Sequence, residues 1–363
     1  MIIKRRDFIK YSALSGLSLS FGFCHSKGNI KSHSKRLGVA LVGLGGYSAG
    51  QLAPALQLTK NCYLAGIVTG SPHKIPEWQK KYNIKDKNVY NYDNMHTIAN
   101  NEEIDVVYVV VPTALHAKYS LIAANAGKHV WCEKPMAMTV EECQSIIDIC
   151  NKNKVKLSVG YRMQHEPNTR TVIEYASSLP YGKIKSVKAL AGYGGGGGKG
   201  WRFERAMGGG ALYDMGVYTI NGIRYASAQE PIGVLNAKQY RNRPELFNDV
   251  DETTEYELEF ASGIQTIGKT SVSENMGILE VICEKGDYHL SPMQSYNGVQ
   301  GRTSNGILLN KPIANQQAQQ MDDDALAILN NKAVMVPGEE GMRDIRIVQA
   351  IIQAAETGKG VKL

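Results

Sequence analysis

Six cysteines are few for 363 residues, and no two stand as a Cys-x-x-Cys pair. The usual spacing of a thiol metal knuckle or dithiol redox centre is therefore absent. After Cys24 an odd number remains (Cys62, Cys132, Cys143, Cys150, Cys283), several within apolar runs. That pattern points to buried free thiols rather than a disulfide framework. The eight histidines form no metal-ligand spacing, so no metal is expected. No internal repeat is present. A surplus of positive charge is also missing from nearly the whole chain. Residues 1–36 hold eight Lys/Arg against Asp7, which accounts for the entire formal net charge of +7. The remainder is neutral, and the basic pI carries no argument for a nucleic-acid partner.

What is present at the N-terminus reads as an address. MIIKRRDFIK is a charged segment, and Tyr11–Phe23 is an apolar run of thirteen residues, too short to span a bilayer. The pair Arg5-Arg6 followed by Asp7-Phe8 resembles a twin-arginine export signal, which implies a periplasmic protein. Cys24 closes the run. Phe21 and Phe23 sit where a lipoprotein signal wants small residues, so a lipid on Cys24 is the less favoured alternative. Residues 1–30 are assigned to the signal and a short tail.

From residue 37 short apolar runs alternate with helical segments. Strands are expected at 37–42, 63–69, 105–111, 129–132 and 156–160. Helices are expected at 49–58 (with Pro54 inside), 72–82, 114–126 and 139–151. This alternation implies a doubly wound parallel sheet, a Rossmann domain over 36–160. After Gly160 the grammar changes. Helices at 167–178 and 211–224 accompany strands at 183–191, 232–240, 255–260, 265–271, 277–283 and 287–290, with last helices at 322–330 and 342–356. Strands without intervening helices imply an α+β domain, 161–363, with a large, mostly antiparallel open sheet.

VALVGLGGYSAG follows the first strand and opens the first helix. Gly43 and Gly45 match the first two glycines of G-x-G-x-x-G, with Ser48 at the third position. Such a loop needs one glycine for the turn and another so that backbone can approach a pyrophosphate. Gly43, Leu44, Gly45, Gly46 and Tyr47 are thus expected to hold a dinucleotide. The same letters contain Gly46-Tyr47-Ser48-Ala49-Gly50, a G-x-S-x-G elbow, which keeps a serine hydrolase as a remote rival. No carboxylate ends the second strand. Thr69, Ser71 and Lys74 stand there instead, suited to a 2′-phosphate, so NADP is expected over NAD.

Glu133-Lys134-Pro135 closes the strand at 129–132, at the end of a parallel sheet where ligands bind. A lysine there can polarise a hydroxyl, with Glu133 holding its ammonium. The stretches GKHVWCEKPMA, VGYR, WRFERAMGGGALYDMGVYTINGIRY and PGEEGMRDIRIVQAI resemble the glucose–fructose oxidoreductase/inositol dehydrogenase (Gfo/Idh/MocA) family, on its glucose–fructose oxidoreductase side. The resemblance runs from Arg36 to the end. It implies hydride transfer between nicotinamide and a sugar or polyol carbon, and a homo-oligomer, dimer or tetramer. It makes Lys134 the catalytic lysine, Asp214 the substrate-site carboxylate and Tyr218 the acid/base. Tyrosine is a weak base at its ordinary pKa of about 10, and a lysine cation beside it favours the phenolate. Arg162, Trp201 and Arg202 are expected to line the substrate site. Pro112 and His116 are expected in a loop near the nicotinamide.

The chain departs from that pattern in three places. Only residues 25–36, without proline, fill the space of a long proline-rich arm. Met163-Gln164-His165 replaces the familiar residues after Gly160-Tyr161-Arg162. Five glycines run from Gly194 to Gly198, read as a loop at the substrate mouth, while Gly208-Gly209-Gly210 are expected to let backbone approach a ligand. A glycosidase acting by transient sugar oxidation and a non-catalytic sugar or cofactor sensor remain as alternatives.

Overall fold

The computed structural model describes residues 36–195 and 200–363. The export-signal reading and the central part of the glycine run lie outside the described residues. From Lys35 onward the chain forms one contiguous unit.

The first sheet begins with β1 (Leu37–Val42), whose six residues are all buried. A run buried on both faces needs cover on both sides, as a parallel sheet receives from its crossover helices. The others are β2 (Cys62–Val68), β3 (Val89–Tyr90), β4 (Val106–Val109), β5 (His129–Cys132) and β6 (Leu157–Val159). They pair in the order β3-β2-β1-β4-β5-β6, all parallel. This is the doubly wound order, whose reversal beside β1 opens a ligand crevice at the carboxyl ends.

Between these strands run a π-turn (Ser48–Leu52) leading into α1 (Ala53–Leu56), then α2 (Ile75–Tyr82), α3 (His116–Asn125) and α4 (Val140–Lys152). Pro54 does not kink a long helix. The π-turn ends just before it, so Pro54 falls in the opening turn of α1, where a missing N–H leaves nothing unpaired. Thr139 caps α4, its Oγ1 accepting from Glu142 N at 3.2 Å, as the Thr-x-x-Glu spacing predicts.

After α5 (Pro167–Ser178) comes the second sheet. Its central strand β7 (Ile184–Gly192) alternates, with Val187, Ala189 and Ala191 turned into the core. A second π-turn (Leu212–Gly216) leads into α6 (Val217–Ser227). Then follow β8 (Gly233–Tyr240), β9 (Thr253–Glu259), β10 (Gln265–Ser271), β11 (Met276–Cys283), β12 (Gly286–Leu290), β13 (Gly301–Thr303) and β14 (Leu308–Leu309). Helices α7 (Gln316–Leu329) and α8 (Gly338–Thr357) and the terminal β15 (Val361–Lys362) complete the chain. The nine strands order as β14-β13-β12-β11-β7-β10-β9-β8-β15, antiparallel except for β10 against β7.

Two helices start earlier than the sequence pattern predicts. Asn315 caps α7 through its side-chain oxygen, which accepts from Ala318 N at 2.8 Å. The buried face that follows is polar (Gln316, Gln317, Gln320), so hydropathy does not mark it. α8 begins at Gly338, and Gly338 and Gly341 read as loop. They are instead contact points: a Cβ on Gly341 would lie 2.9 Å from Met136. The five described cysteines are buried and free. Burial pushes the Cys143 and Cys150 thiols up to about 12, so they stay protonated. No described helix is long and apolar enough to cross a membrane.

α6 and α8 are joined by a buried charge cluster. Arg224 donates to Asp344 at 2.5 Å, to Glu340 at 3.0 Å and to Glu230 at 2.7 Å. Arg224→Met leaves the buried Asp344 carboxyl without its cation and is expected to destabilise the fold by about 3–5 kcal/mol, measured by urea unfolding.

Candidate active site

Four carboxyl strand ends of the first sheet meet at the crevice. After β1, Gly43 adopts φ +94°, and a Cβ there would lie 2.5 Å from Val110 O. Only glycine satisfies both constraints. Leu44 is buried, while Gly45 and Gly46 are exposed, and a Cβ on either would meet nothing within 4 Å. Backbone is thus bare beside open space at the start of the π-turn, a cradle that fits a pyrophosphate. Tyr47 stands half-buried at its rim.

Ser48 is fully buried and donates its hydroxyl to Gly43 O at 2.6 Å. It braces the loop from inside, so the elbow reading is corrected: a nucleophile must present its oxygen to substrate. At the end of β2, Thr69 Oγ1 accepts from Ser71 N at 3.0 Å, and Lys74 Nζ reaches Leu44 O at 2.8 Å. The structure therefore sets Lys74 against the glycine loop, with Thr69 and Ser71 joined to each other at the end of β2. Hydroxyls and an ammonium, with no carboxylate at the strand end, fit a 2′-phosphate.

After β4, half-buried Pro112 opens the short turn into α3. His116 does not line the crevice as expected. It is 1 % exposed, and its Nδ1 and Nε2 each lie 2.8 Å from a carbonyl oxygen, of Pro135 and Val111. Burial holds its pKa below the usual value. It is a staple between two crevice loops.

After β5, Glu133 is buried. Its Oε1 accepts from Tyr108 OH at 2.6 Å and its Oε2 from Lys134 N at 3.2 Å. Tyr108 OH in turn accepts from Gln320 Nε2 at 3.2 Å. Glu133 thus holds the Lys134 backbone rather than its ammonium, which corrects the expected pairing. A Cβ on Gly160 would lie 2.7 Å from Glu133 Oε1, so the neighbouring strand end leaves room for the carboxyl. Burial pushes the Glu133 carboxyl up, against the Tyr108 bond and the nearby Lys134 charge.

Lys134 Nζ crosses to the second half of the chain. It donates to Asp214 O at 2.7 Å, lies 3.8 Å from Asp214 Oδ1 and sits 4.4 Å above the centroid of the Tyr218 ring. Asp214 and Tyr218 are presented by the π-turn and the first turn of α6. Such wide turns recur at functional sites. Asp251 caps this one, its Oδ2 accepting from Leu212 N at 2.8 Å. Gly210, at φ +98°, makes room for Asp251: a Cβ there would fall 2.1 Å from Asp251 Oδ1. Gly208 packs likewise against Thr113 and Met138, and Gly209 against the Arg202 backbone. The three glycines let protein approach protein, not the ligand expected of them.

Asp214 Oδ2 accepts from Arg202 Nε at 2.9 Å and from Tyr193 OH at 3.0 Å. Burial raises the Asp214 pKa, but the Lys134 and Arg202 cations and the Tyr193 bond outweigh it and hold the carboxyl below its ordinary 3.8. Asp214 is therefore an ionised anchor. Trp201 lies beneath Arg202, whose guanidinium is 4.5 Å from the indole. Arg162 is corrected more strongly. It is buried, with Nη1 donating to Ser295 O at 3.0 Å and to Gln316 Oε1, and Nη2 donating to Gln294 O. Those ends of its guanidinium bind protein, not substrate.

A family model described as an oxidoreductase family with an NAD-binding Rossmann fold matches residues 37–161. The model of that family's C-terminal alpha/beta domain matches residues 181–363. The chain belongs to the Gfo/Idh/MocA oxidoreductase family. A solved Gfo/Idh/MocA-like structure, aldose-aldose oxidoreductase from Caulobacter crescentus, superposes with a TM-score of 0.86 at 33% identity, covering 91% of this chain and 100% of that one. D-xylose 1-dehydrogenase [NADP(+)] of Haloarcula marismortui is 24% identical over 89% of this chain and 92% of its own length. D-glucoside 3-dehydrogenase of Escherichia coli is 25% identical over 71% and 79%.

Within this Gfo/Idh/MocA site, sequence reasoning missed Tyr193, Tyr108, Gln320 and Tyr296. Tyr108 carried a signal, a hydroxyl inside the apolar run DVVYVVV, since a buried tyrosine needs a partner. Tyr193 sits just before the glycine run. Tyr296, in the loop between β12 and β13, carried none.

Because the folded Asp214 pKa is depressed, its charge contributes stability above the ordinary value of 3.8, lost as pH falls through the lower folded value. Asp214→Asn should therefore lower the urea midpoint at neutral pH. The gap to the unmutated protein should close as the pH is taken below about 4.

Proposed function

We propose that the protein is an exported, NADP-dependent sugar oxidoreductase acting on a CH–OH carbon. The observation that carries this reading is the meeting of Lys134, at the end of β5, with Asp214 and Tyr218, from the π-turn and α6, in a site that also holds a bare-backbone loop suited to a dinucleotide. The names of the relatives, an aldose-aldose oxidoreductase and an NADP(+)-linked xylose dehydrogenase, support sugar as the substrate class and NADP as the cofactor. The absence of a carboxylate at the end of β2 supports NADP independently. Export rests on the Arg5-Arg6 signal.

When bound, NADP⁺ supplies the hydride acceptor. Tyr218 receives the proton of the substrate hydroxyl in oxidation and returns it in reduction. Lys134 has three donors, and its contacts to Asp214 leave one for the substrate oxygen. A cation there stabilises the developing alkoxide. Asp214 holds Lys134 in place. Arg202 holds the outer oxygen of Asp214, so the carboxylate does not compete as a base. Were the cofactor to stay bound between turnovers, a second, carbonyl sugar would have to enter the same site to complete the cycle.

Denaturing protein recovered from the periplasm should release NADP(H). Release of NAD alone removes the cofactor assignment, and no nicotinamide together with no uptake of added NADPH removes the reading itself. Tyr218→Phe and Lys134→Met should each lower kcat/KM by roughly 10²–10⁴-fold while the proteins still bind NADPH, measured by fluorescence titration and steady-state kinetics.

A further inference from the structure

We propose that Tyr296 is the sugar-stacking residue of this site, held in register with the proton-accepting Tyr218 by Arg162. The inference deepens the sugar oxidoreductase reading and rests on it.

Arg162 is 2 % exposed, and its planar guanidinium faces two aromatic rings. Its central carbon lies 4.5 Å from the Tyr296 centroid and 5.6 Å from that of Tyr218. Nη1 and Nη2 bind the carbonyls of Gln294 and Ser295, the two residues just before Tyr296. Gln316, at the start of α7, accepts from Nη1 and donates its Nε2 to Ser295 O at 3.0 Å. One cation therefore fixes the loop between β12 and β13 and sets the ring it carries against Tyr218. Arginine suits this, being planar, permanently charged and able to stack.

The ring so held is not buried. Tyr296 is 42 % exposed, against 8 % for Tyr218. Tyr47 of the dinucleotide loop stands 5.9 Å from it, centroid to centroid. An aromatic side chain that is held by Arg162 and still partly exposed is thus placed near both the proton acceptor and the nucleotide loop. A sugar ring has an apolar C–H face and a polar rim of hydroxyls. A face on Tyr296 and a rim toward Tyr218 and Lys134 satisfies both halves. Tyr296 shares the Arg162 guanidinium with Tyr218, which assigns it to the substrate side of the site.

The test uses the full-length processed protein with D-glucose and D-xylose as probes. Tyr296→Ala should raise KM for the aldose about three- to tenfold, as expected for loss of one ring-face contact. kcat should fall by less than KM rises. Tyr296→Phe, which keeps the face, should recover most of the loss. The dissociation constant for NADPH, read by fluorescence quenching, should stay at the unmutated value. If the Ala variant melts early, Tyr296→Leu gives the same comparison at larger side-chain volume. Weakened NADPH binding with KM unmoved overturns the proposal, as does a Phe variant as impaired as Ala. Failure of the unmutated protein to engage either aldose also overturns it. An unmutated protein that takes up no NADPH sinks the underlying reading instead.

Discussion

Lys134 Nζ is held 2.7 Å from the Asp214 carbonyl oxygen and 4.4 Å above the Tyr218 ring, and the rest of the site is organised around that ammonium. A cation so enclosed is tolerated only where oxygens and ring faces replace water. Each replacement comes from a different part of the chain. The backbone of Lys134 is tied to Glu133, Glu133 to Tyr108, and Tyr108 to Gln320 on α7. Asp214 is placed by a π-turn that Asp251 caps. A shift of any of these supports moves the ammonium relative to the ring below it.

The second half of the chain also returns to the first. α7 brings Gln316 to Arg162, Gln320 to Tyr108 and Asp324 to Ser158, the last at 2.8 Å. α8 packs Gly338 and Gly341 against Met136, Leu157 and Val159. Polar and small residues supply hydrogen bonds and close backbone approach there, beside apolar contacts such as Met321 and Ala325 of α7.

That choice explains which parts were legible in the sequence. Apolar runs such as Leu37–Val42 and Val106–Val109 have one stable use, a strand covered on both faces, so the first sheet was readable except for β3 (Val89–Tyr90), whose 2 residues make no such run. Gly43 was readable from its place in a glycine motif after the first strand, and Lys134, Asp214 and Tyr218 from the resemblance that their motifs carry. The start of α7 was not, since Gln316, Gln317 and Gln320 carry no apolar period. His116 and Arg162 were misread for a related reason. Their residue types suit a ligand, and only their surroundings show that carbonyl oxygens of the protein already occupy them. The glycines at 208–210 follow suit: a missing Cβ signals close approach without saying to what.

By itself, then, the sequence determined two sheets of different grammar, a glycine loop after the first strand and, through the family resemblance, the candidates Lys134, Asp214 and Tyr218. Periodicity and short motifs encode these, and both act over a few neighbouring residues. Only the tertiary structure decided that Asp214 is an ion-paired anchor, that His116 staples two loops, and that Tyr296 stands beside Tyr218. Those roles depend on contacts such as Lys134 with Asp214, 80 residues apart, and Arg162 with Ser295, 133 apart, where burial and charge are set by what the fold brings near.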